Sequence, residues 1–225
     1  MSGPRAAAEF DFPLSRIAGL DEAGRGPLAG PVSAAAVILP EDFPLEVLDD
    51  SKKLTAAHRE AAALLIMERA AWGIGWAEAS EIDRINILQA SLLAMSRAWD
   101  ALAGAFPRYD PARGAGGKPE PADLYAVADG LYCPRLPIPC RAMVKADARI
   151  PPVMAASILA KTARDKMMIR YALFYPEYGY EKHKGYPTRA HLEAVARQGP
   201  SPIQRLSFTV RPPRGKPEFT GPPAS

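Results

Sequence analysis

The chain has 225 residues, 48% of them apolar, which is enough to bury one full core with at most a small appendage. No apolar run reaches the roughly 18 to 20 residues of a membrane span, and Glu9 and Asp11 break up the stretch Met1–Phe12 where a secretory leader would need its apolar centre, so a cytoplasmic protein is the default. The formal charge of +3 is unevenly spread: residues 1–140 carry 13 Lys/Arg against 19 Asp/Glu, and residues 141–225 carry 15 against 6. A basic part beside an acidic one suits a polyanionic substrate, although solvated basic helix faces would give the same count.

The apolar run from Ile17 reads as a buried strand that ends in two adjacent acids, Asp21 and Glu22, followed at once by Gly24-Arg25-Gly26. Side chains on a regular strand alternate between faces, so these acids share a site only if the strand stops or bulges there, which the glycines and Pro27 favour. Hard carboxylate oxygens in this arrangement suit Mg²⁺ or Mn²⁺. Gly24 and Gly26 would let an anionic backbone approach exposed N–H groups, with the guanidinium of Arg25 at hand. A strand-to-turn corner with solvated acids is the plain alternative. A nucleotide P-loop is set aside, because Arg25-Gly26 stands where Lys-Ser/Thr is needed and two acids would repel the phosphate.

Val32–Leu39 reads as a second strand, joined to the first by Gly30-Pro31 as an antiparallel hairpin. Asp49–Leu54 is a polar loop containing Lys52 and Lys53; a helix runs from Thr55 to about Ala70, and Gly73–Ala79 forms a third strand. Ser80 with Asp83 marks the start of a helix whose stripe Ile82, Ile85, Leu88, Leu92, Met95, Trp99 and Leu102 is core. Residues 104–121 are Gly- and Pro-rich and read as a surface loop.

Leu124–Gly130 repeats the grammar of the first strand and ends in Asp129-Gly130; Ile138–Asp147 is a further strand ending in an acid. Pro134, Pro137 and Pro139 make the link between them extended, and Cys133 and Cys140 within it are reduced structural thiols. A helix follows Pro151-Pro152 to about Phe174, with alanines for close packing on the sheet. Tyr178–Pro187 is a loop of aromatics among basic residues, Thr188 starts a last helix to about Arg197, and Leu206–Phe208 is expected to dock back. From Thr209 on the chain reads as a flexible, proline-rich basic tail.

Three apolar strands thus end in acids: Asp21/Glu22, Asp129 and Asp147. Carboxyl ends of strands are where sites gather in α/β sheets. If the three are neighbours, the cluster needs cations, and two Mg²⁺ ions about 3.5–4 Å apart would activate water and stabilise the leaving oxygen of a phosphodiester.

Asp21-Glu22-Ala-Gly-Arg-Gly-Pro-Leu-Ala-Gly, Asp50-Ser-Lys-Lys-Leu, Ile82-Asp-Arg-Ile-Asn-Ile-Leu, Asp129-Gly, Lys145-Ala-Asp147, Ala155-Ala-Ser-Ile-Leu-Ala-Lys161, Arg164-Asp165 and His183-Lys-Gly-Tyr-Pro-Thr188 together resemble bacterial ribonuclease HII in order and spacing, over about residues 16 to 208. The resemblance implies a ribonuclease H-like α/β fold: a mixed five-stranded sheet flanked by helices, with a C-terminal helical extension. It implies a catalytic domain over residues 1–208, with residues 1–14 a loose N-terminal segment. It also implies Mg²⁺- or Mn²⁺-dependent cleavage on the 5′ side of a ribonucleotide, in RNA/DNA hybrids and at single ribonucleotides in duplex DNA, leaving 3′-hydroxyl and 5′-phosphate. Carried over position by position, Asp21, Glu22, Asp129 and Asp147 would hold the metals, and Gly24, Arg25 and Gly26 would read the 2′-hydroxyl, the group that separates ribose from deoxyribose. Tyr186 would stack on the sugar past the junction, or else cap the core as a loop tyrosine.

Lys52, Lys53 and Lys184 are candidates for phosphate contact or plain surface lysines. Arg164 and Asp165 are expected to form a structural ion pair, and His183 is a weak candidate for proton transfer. Leu131, Ala146 and Leu206 depart from the family's usual Asn, Gly and Arg. The early position of Asp21 favours HII over HIII, whose N-terminal binding domain would have no room. A monomer is expected, with a replication clamp as a candidate partner. A Holliday-junction resolvase of the same fold would share the acids but not need Gly-Arg-Gly, and a silent nucleic-acid-binding module would not need all four acids.

Overall fold

The computed structural model describes residues 12–48, 55–105 and 123–208. Five strands, β1 (Ile17–Ala23), β2 (Val32–Ile38), β3 (Ala71–Ala77), β4 (Tyr125–Asp129) and β5 (Cys140–Met143), form one sheet in the order β3-β2-β1-β4-β5. β2 runs antiparallel to both β1 and β3, whereas β4 is parallel to β1 and β5 is parallel to β4. The sheet is therefore mixed, as the resemblance implied, and β1, β4 and β5 open toward the same edge.

Helices cover both faces: α2 (Ala79–Ala105) one, α1 (Ala56–Arg69) and α3 (Pro151–Phe174) the other. β2 shows why its sequence is apolar without alternation. Ala34 and Ala36 join the α2-side core with Met95 and Trp99, while Ala35 and Val37 join Ile66, Ala155 and Leu159 on the other side. The start of α3 lies directly on β1, where a Cβ on Gly19 would come 2.1 Å from the carbonyl carbon of Pro152. The C-terminal extension, α4 (Tyr180–His183) and α5 (Arg189–Gln198), packs on the end of α3 through Met168, Tyr178, Tyr180, Ala194 and Ile203. Among the described residues no helix is long and apolar enough to cross a membrane.

Several boundaries differ from the sequence reading. β1 neither stops nor bulges at its acids: its pairing with β2 continues through Asp21↔Ala35, Glu22↔Ala34 and Ala23↔Ser33. β3 lies two residues earlier than expected, and Ser80 is inside α2 rather than capping it. Asp83 instead accepts hydrogen bonds from the backbone N–H groups of Leu206 and Ser207, both at 2.9 Å, and so docks the segment 206–208. α2 is kinked at Asn86 (φ 66°), whose Oδ1 caps the N–H groups of Leu88 and Gln89, and the phase change puts Ile87 rather than Leu88 against the core. β5 ends at Met143, so Asp147 is on a separate 3₁₀ turn, Ala146–Ala148, and not at a strand end. The expected loop at Tyr178–Pro187 contains the short helix α4. Residues 104–105 of the expected surface loop belong to α2, while Lys52 and Lys53, residues 106–121 of that loop and the tail from Thr209 lie outside the described residues.

Candidate active site

Parallel pairing of β1 with β4 sets Leu20 against Ala128, so the next residues, Asp21 and Asp129, emerge side by side on the face covered by α3. Asp21 is buried; its Oδ1 accepts the N–H of Glu22 at 2.7 Å, and the hydroxyl of Ser157 on α3 also bonds its carboxyl. Burial first, then the charges of Glu22 and Asp129, push Asp21 well above the usual carboxylate range. Glu22 is raised too, chiefly by burial, with Arg25 pulling the other way. The guanidinium of Arg25 donates to Glu22 Oε1 at 3.1 Å, while Oε2 is buried without a partner.

Asp129 links the turn of the fourth acid, Asp147, to the first two. Its Oδ1 accepts the N–H of Ala146 at 2.8 Å and faces that of Asp147 at 3.4 Å, capping from a neighbouring strand the turn that carries buried Asp147. Lys145, at φ 59°, supplies the left-handed residue that turns the chain into it. Asp21, Glu22 and Asp129 thus lie near enough to act on one another by charge, Glu22 from the next position of a strand that does not bulge, and the main chain of Asp147 lies against Asp129. Among the described residues, however, no three acids, histidines or cysteines stand tightly enough to hold an ion between them as they are. Glu22 bonds Arg25, and Asp129 bonds main-chain N–H groups. In charge and chemistry the set still fits a hard divalent cation, because it consists of oxygens, its innermost acids are destabilised by one another, and a buried oxygen of Glu22 is unsatisfied.

The loop from Gly24 to Pro31 is held from within by two buried arginines that the sequence reading did not assign to it. Arg205 donates to the carbonyls of Gly24 (2.6 Å), Arg25 (3.1 Å), Pro27 (2.8 Å) and Gly30 (2.9 Å). Arg164 donates to those of Ala29, Pro31 and, across the site, Lys184. Burial, then the charge of Arg164, lowers Arg205 to about 9, and burial lowers Arg164 to about 10, so both remain cationic at neutral pH. Arg164 is therefore a backbone clamp and not the ion-pair partner of Asp165, which instead meets Lys161 at 2.7 Å and Arg59 at 3.6 Å. In the sequence Arg205 is marked only by its place in Arg205-Leu206-Ser207-Phe208.

Gly24 is required by the fold: its φ is +100°, and a Cβ there would strike Arg164 Nε at 2.0 Å. Gly26 is not, since a Cβ would meet only the ring of Tyr186 at 3.7 Å. Tyr186 is exposed beside it, with Lys161 Nζ 5.9 Å from its ring centre. Lys184 has φ 52°, its Nζ bonds the carbonyl of Glu181, and its own carbonyl serves Arg164. His183 uses Nε2 on Tyr178 O and Nδ1 on Gly185 N–H while stacking 4.6 Å from His191, so it is a mount for this loop rather than a free proton carrier.

The sheet order and the helices on both faces are those of the ribonuclease H-like nucleases. Bst-RNase HIII in complex with Mn²⁺ is similar with a TM-score of 0.67 at 18% identity, over 92% of this chain and 71% of that one. RNase HII of Archaeoglobus fulgidus, solved with PCNA, is similar with a TM-score of 0.63 at 22% identity, over 88% of this chain and 96% of that one. The family model described as Ribonuclease HII matches residues 18–211. Ribonuclease HII of Treponema denticola is 52% identical over 87% of this chain and 98% of its own, and that of Laribacter hongkongensis is 53% identical over 86% and 90%. The chain belongs to the ribonuclease HII family and is an endonuclease of the RNase H type.

Proposed function

We propose that this endonuclease hydrolyses the phosphodiester on the 5′ side of a ribonucleotide, in RNA/DNA hybrids and at single ribonucleotides embedded in duplex DNA, leaving 3′-hydroxyl and 5′-phosphate. Its role is then the removal of misincorporated ribonucleotides during replication and repair. The observation that carries the reading is Gly26: no contact in the fold demands a glycine there, yet it lies in the loop that leaves the acids and against an exposed tyrosine. A missing side chain with no internal reason suits the close approach of a ligand's backbone.

Asp21, Glu22, Asp129 and Asp147 are the residues that would hold Mg²⁺ or Mn²⁺. A pair of such cations, when bound, supplies an activated water and neutralises charge on the leaving oxygen. The chain's own part is to present the acids. Asp21 is held by Ser157 and the N–H of Glu22, Asp129 by the turn at Ala146, and Arg25 screens Glu22 from its neighbours. The N–H groups of the Gly24–Gly26 loop would meet the 2′-hydroxyl, Tyr186 would stack on the adjoining sugar, and Lys184, with Lys52 and Lys53, would meet phosphates. All four acids come from one chain, so a monomer suffices. The unlinked thiols Cys133 and Cys140 suit the cytoplasm. A replication clamp is a candidate partner by analogy with the Archaeoglobus protein.

The test uses duplexes with one, four or no ribonucleotides, in Mg²⁺, Mn²⁺ or EDTA. Cutting is expected only where a ribonucleotide and a divalent ion are both present, with product ends of the stated polarity. All-DNA duplex cut at a comparable rate would overturn the reading.

A further inference from the structure

We propose that Arg205 is a positioning residue for this reaction, fixing, together with Arg164, the main-chain surface by which the enzyme distinguishes ribose from deoxyribose. The inference rests on the loop reading just given and extends it to residues that never touch substrate. In a trans peptide the C=O and the following N–H point in opposite directions. Arg205 draws the carbonyls of Gly24 and Arg25 inward, so the N–H groups of Arg25 and Gly26 are turned outward. Both residues are exposed, and among the described residues neither N–H donates to a protein group. Two consecutive outward amides of this kind form a small concave donor pair.

Arg164 extends the same frame across the site. It is packed under Gly24 and bonded to the carbonyl of Lys184, so it sets the loop's spacing from the segment that carries Tyr186. Among the described residues neither guanidinium bonds a carboxylate; Asp83 and Asp165 favour Arg205 and Arg164 only through space, while burial and the charge of Arg164 oppose the cation of Arg205. Two buried cations whose hydrogen bonds go to carbonyls are a poor choice for stability alone, because an apolar plug of the same volume would avoid the desolvation. Their fork geometry is what an apolar plug lacks. A planar guanidinium can hold several carbonyls at fixed angles, and a lysine ammonium at the same place cannot.

The experiment measures binding to two matched duplexes, one with a single ribonucleotide and one all-DNA, in Ca²⁺, by fluorescence anisotropy. Proteins compared are the wild type, Arg205→Lys, Arg164→Lys and Leu102→Ala. The last is a core truncation on the opposite face of the sheet, and it serves as a control for loss of stability. The preference for the ribonucleotide duplex is expected to fall about tenfold or more in both arginine variants, with all-DNA affinity kept, and to persist in Leu102→Ala. Arg205→Lys retaining the wild-type preference would overturn the proposal. A wild type that itself shows no preference would instead overturn the loop reading, and with it this extension. Should the arginine variants not fold, the Nε–H resonance of Arg205 in the wild type decides. It is expected to shift with the ribonucleotide duplex and not with all-DNA, and an equal shift with both would count against the proposal.

Discussion

Asp129 does two things with one carboxylate. It belongs to the acidic cluster, and its Oδ1 caps the turn that carries Asp147. An asparagine keeps that acceptor oxygen but not the charge. Asp129→Asn should therefore keep its melting temperature within a few degrees, bind duplex, and lose turnover by about a hundredfold or more, the scale of a removed charge at a reacting centre. Melting curves, anisotropy and a cleavage assay separate the three effects; loss of folding would mean that the capping role needs the charge. That Asp21 and Asp129 are neighbours was legible in the sequence because apolar strand runs followed by acids are a local pattern. Arg205 was not. Its partners are carbonyls, which every residue has, and its bond to Gly24 spans 181 positions.

At the scale of elements, strand identity survived from sequence to structure, but element ends did not. β5 was expected to run to Asp147 and stops at Met143, because Lys145 leaves the extended region and Asp129 captures the next turn. The kink in α2 was invisible for a similar reason. The apolar stripe continues through Asn86 with only a one-residue change of phase, which spacing alone does not resolve. α2 is strapped to β3 by Arg97, which bonds Trp76 O and both carboxylate oxygens of Glu81. The hydrogen bond to Arg97 leads in lowering Glu81 to about 2, against an ordinary 4.5. A lowered carboxylate stabilises the fold above its unfolded pKa and loses that contribution as pH falls through the folded one. Glu81→Gln should accordingly lower stability at pH 7 and make progressively less difference between about pH 4.5 and 2. Urea titrations at several pH values check this, and a pH-independent effect would point to lost packing instead.

For the molecule as a whole, the buried acids are a stability cost, which the proposed cation binding would offset. Asp21 is buried and raised well above its ordinary pKa, so its ionised form is worse off folded than unfolded once the pH exceeds the unfolded value near 3.8. Asp21→Asn, which keeps the acceptor for the Glu22 N–H, should therefore raise the melting temperature in EDTA at neutral pH, while abolishing cleavage. The gain should shrink as pH falls toward the unfolded value near 3.8 and vanish well below it, where the wild-type carboxyl is protonated in both states. Added Mg²⁺ should raise the wild-type melting temperature and leave that of the variant nearly unmoved. A variant less stable than the wild type in EDTA would show that the cluster is not under strain.

The loop beside these acids has a consequence for inheritance. Its donors at Arg25 and Gly26 are amides, and nineteen of the twenty residues the genetic code can place there would bring the same N–H group; proline alone would delete one. Random mutation of that surface can crowd the donors but can scarcely erase them. Drift in selectivity is therefore expected to enter from behind, at the buried cations and the glycine they press against, where one nucleotide change can tilt the whole face.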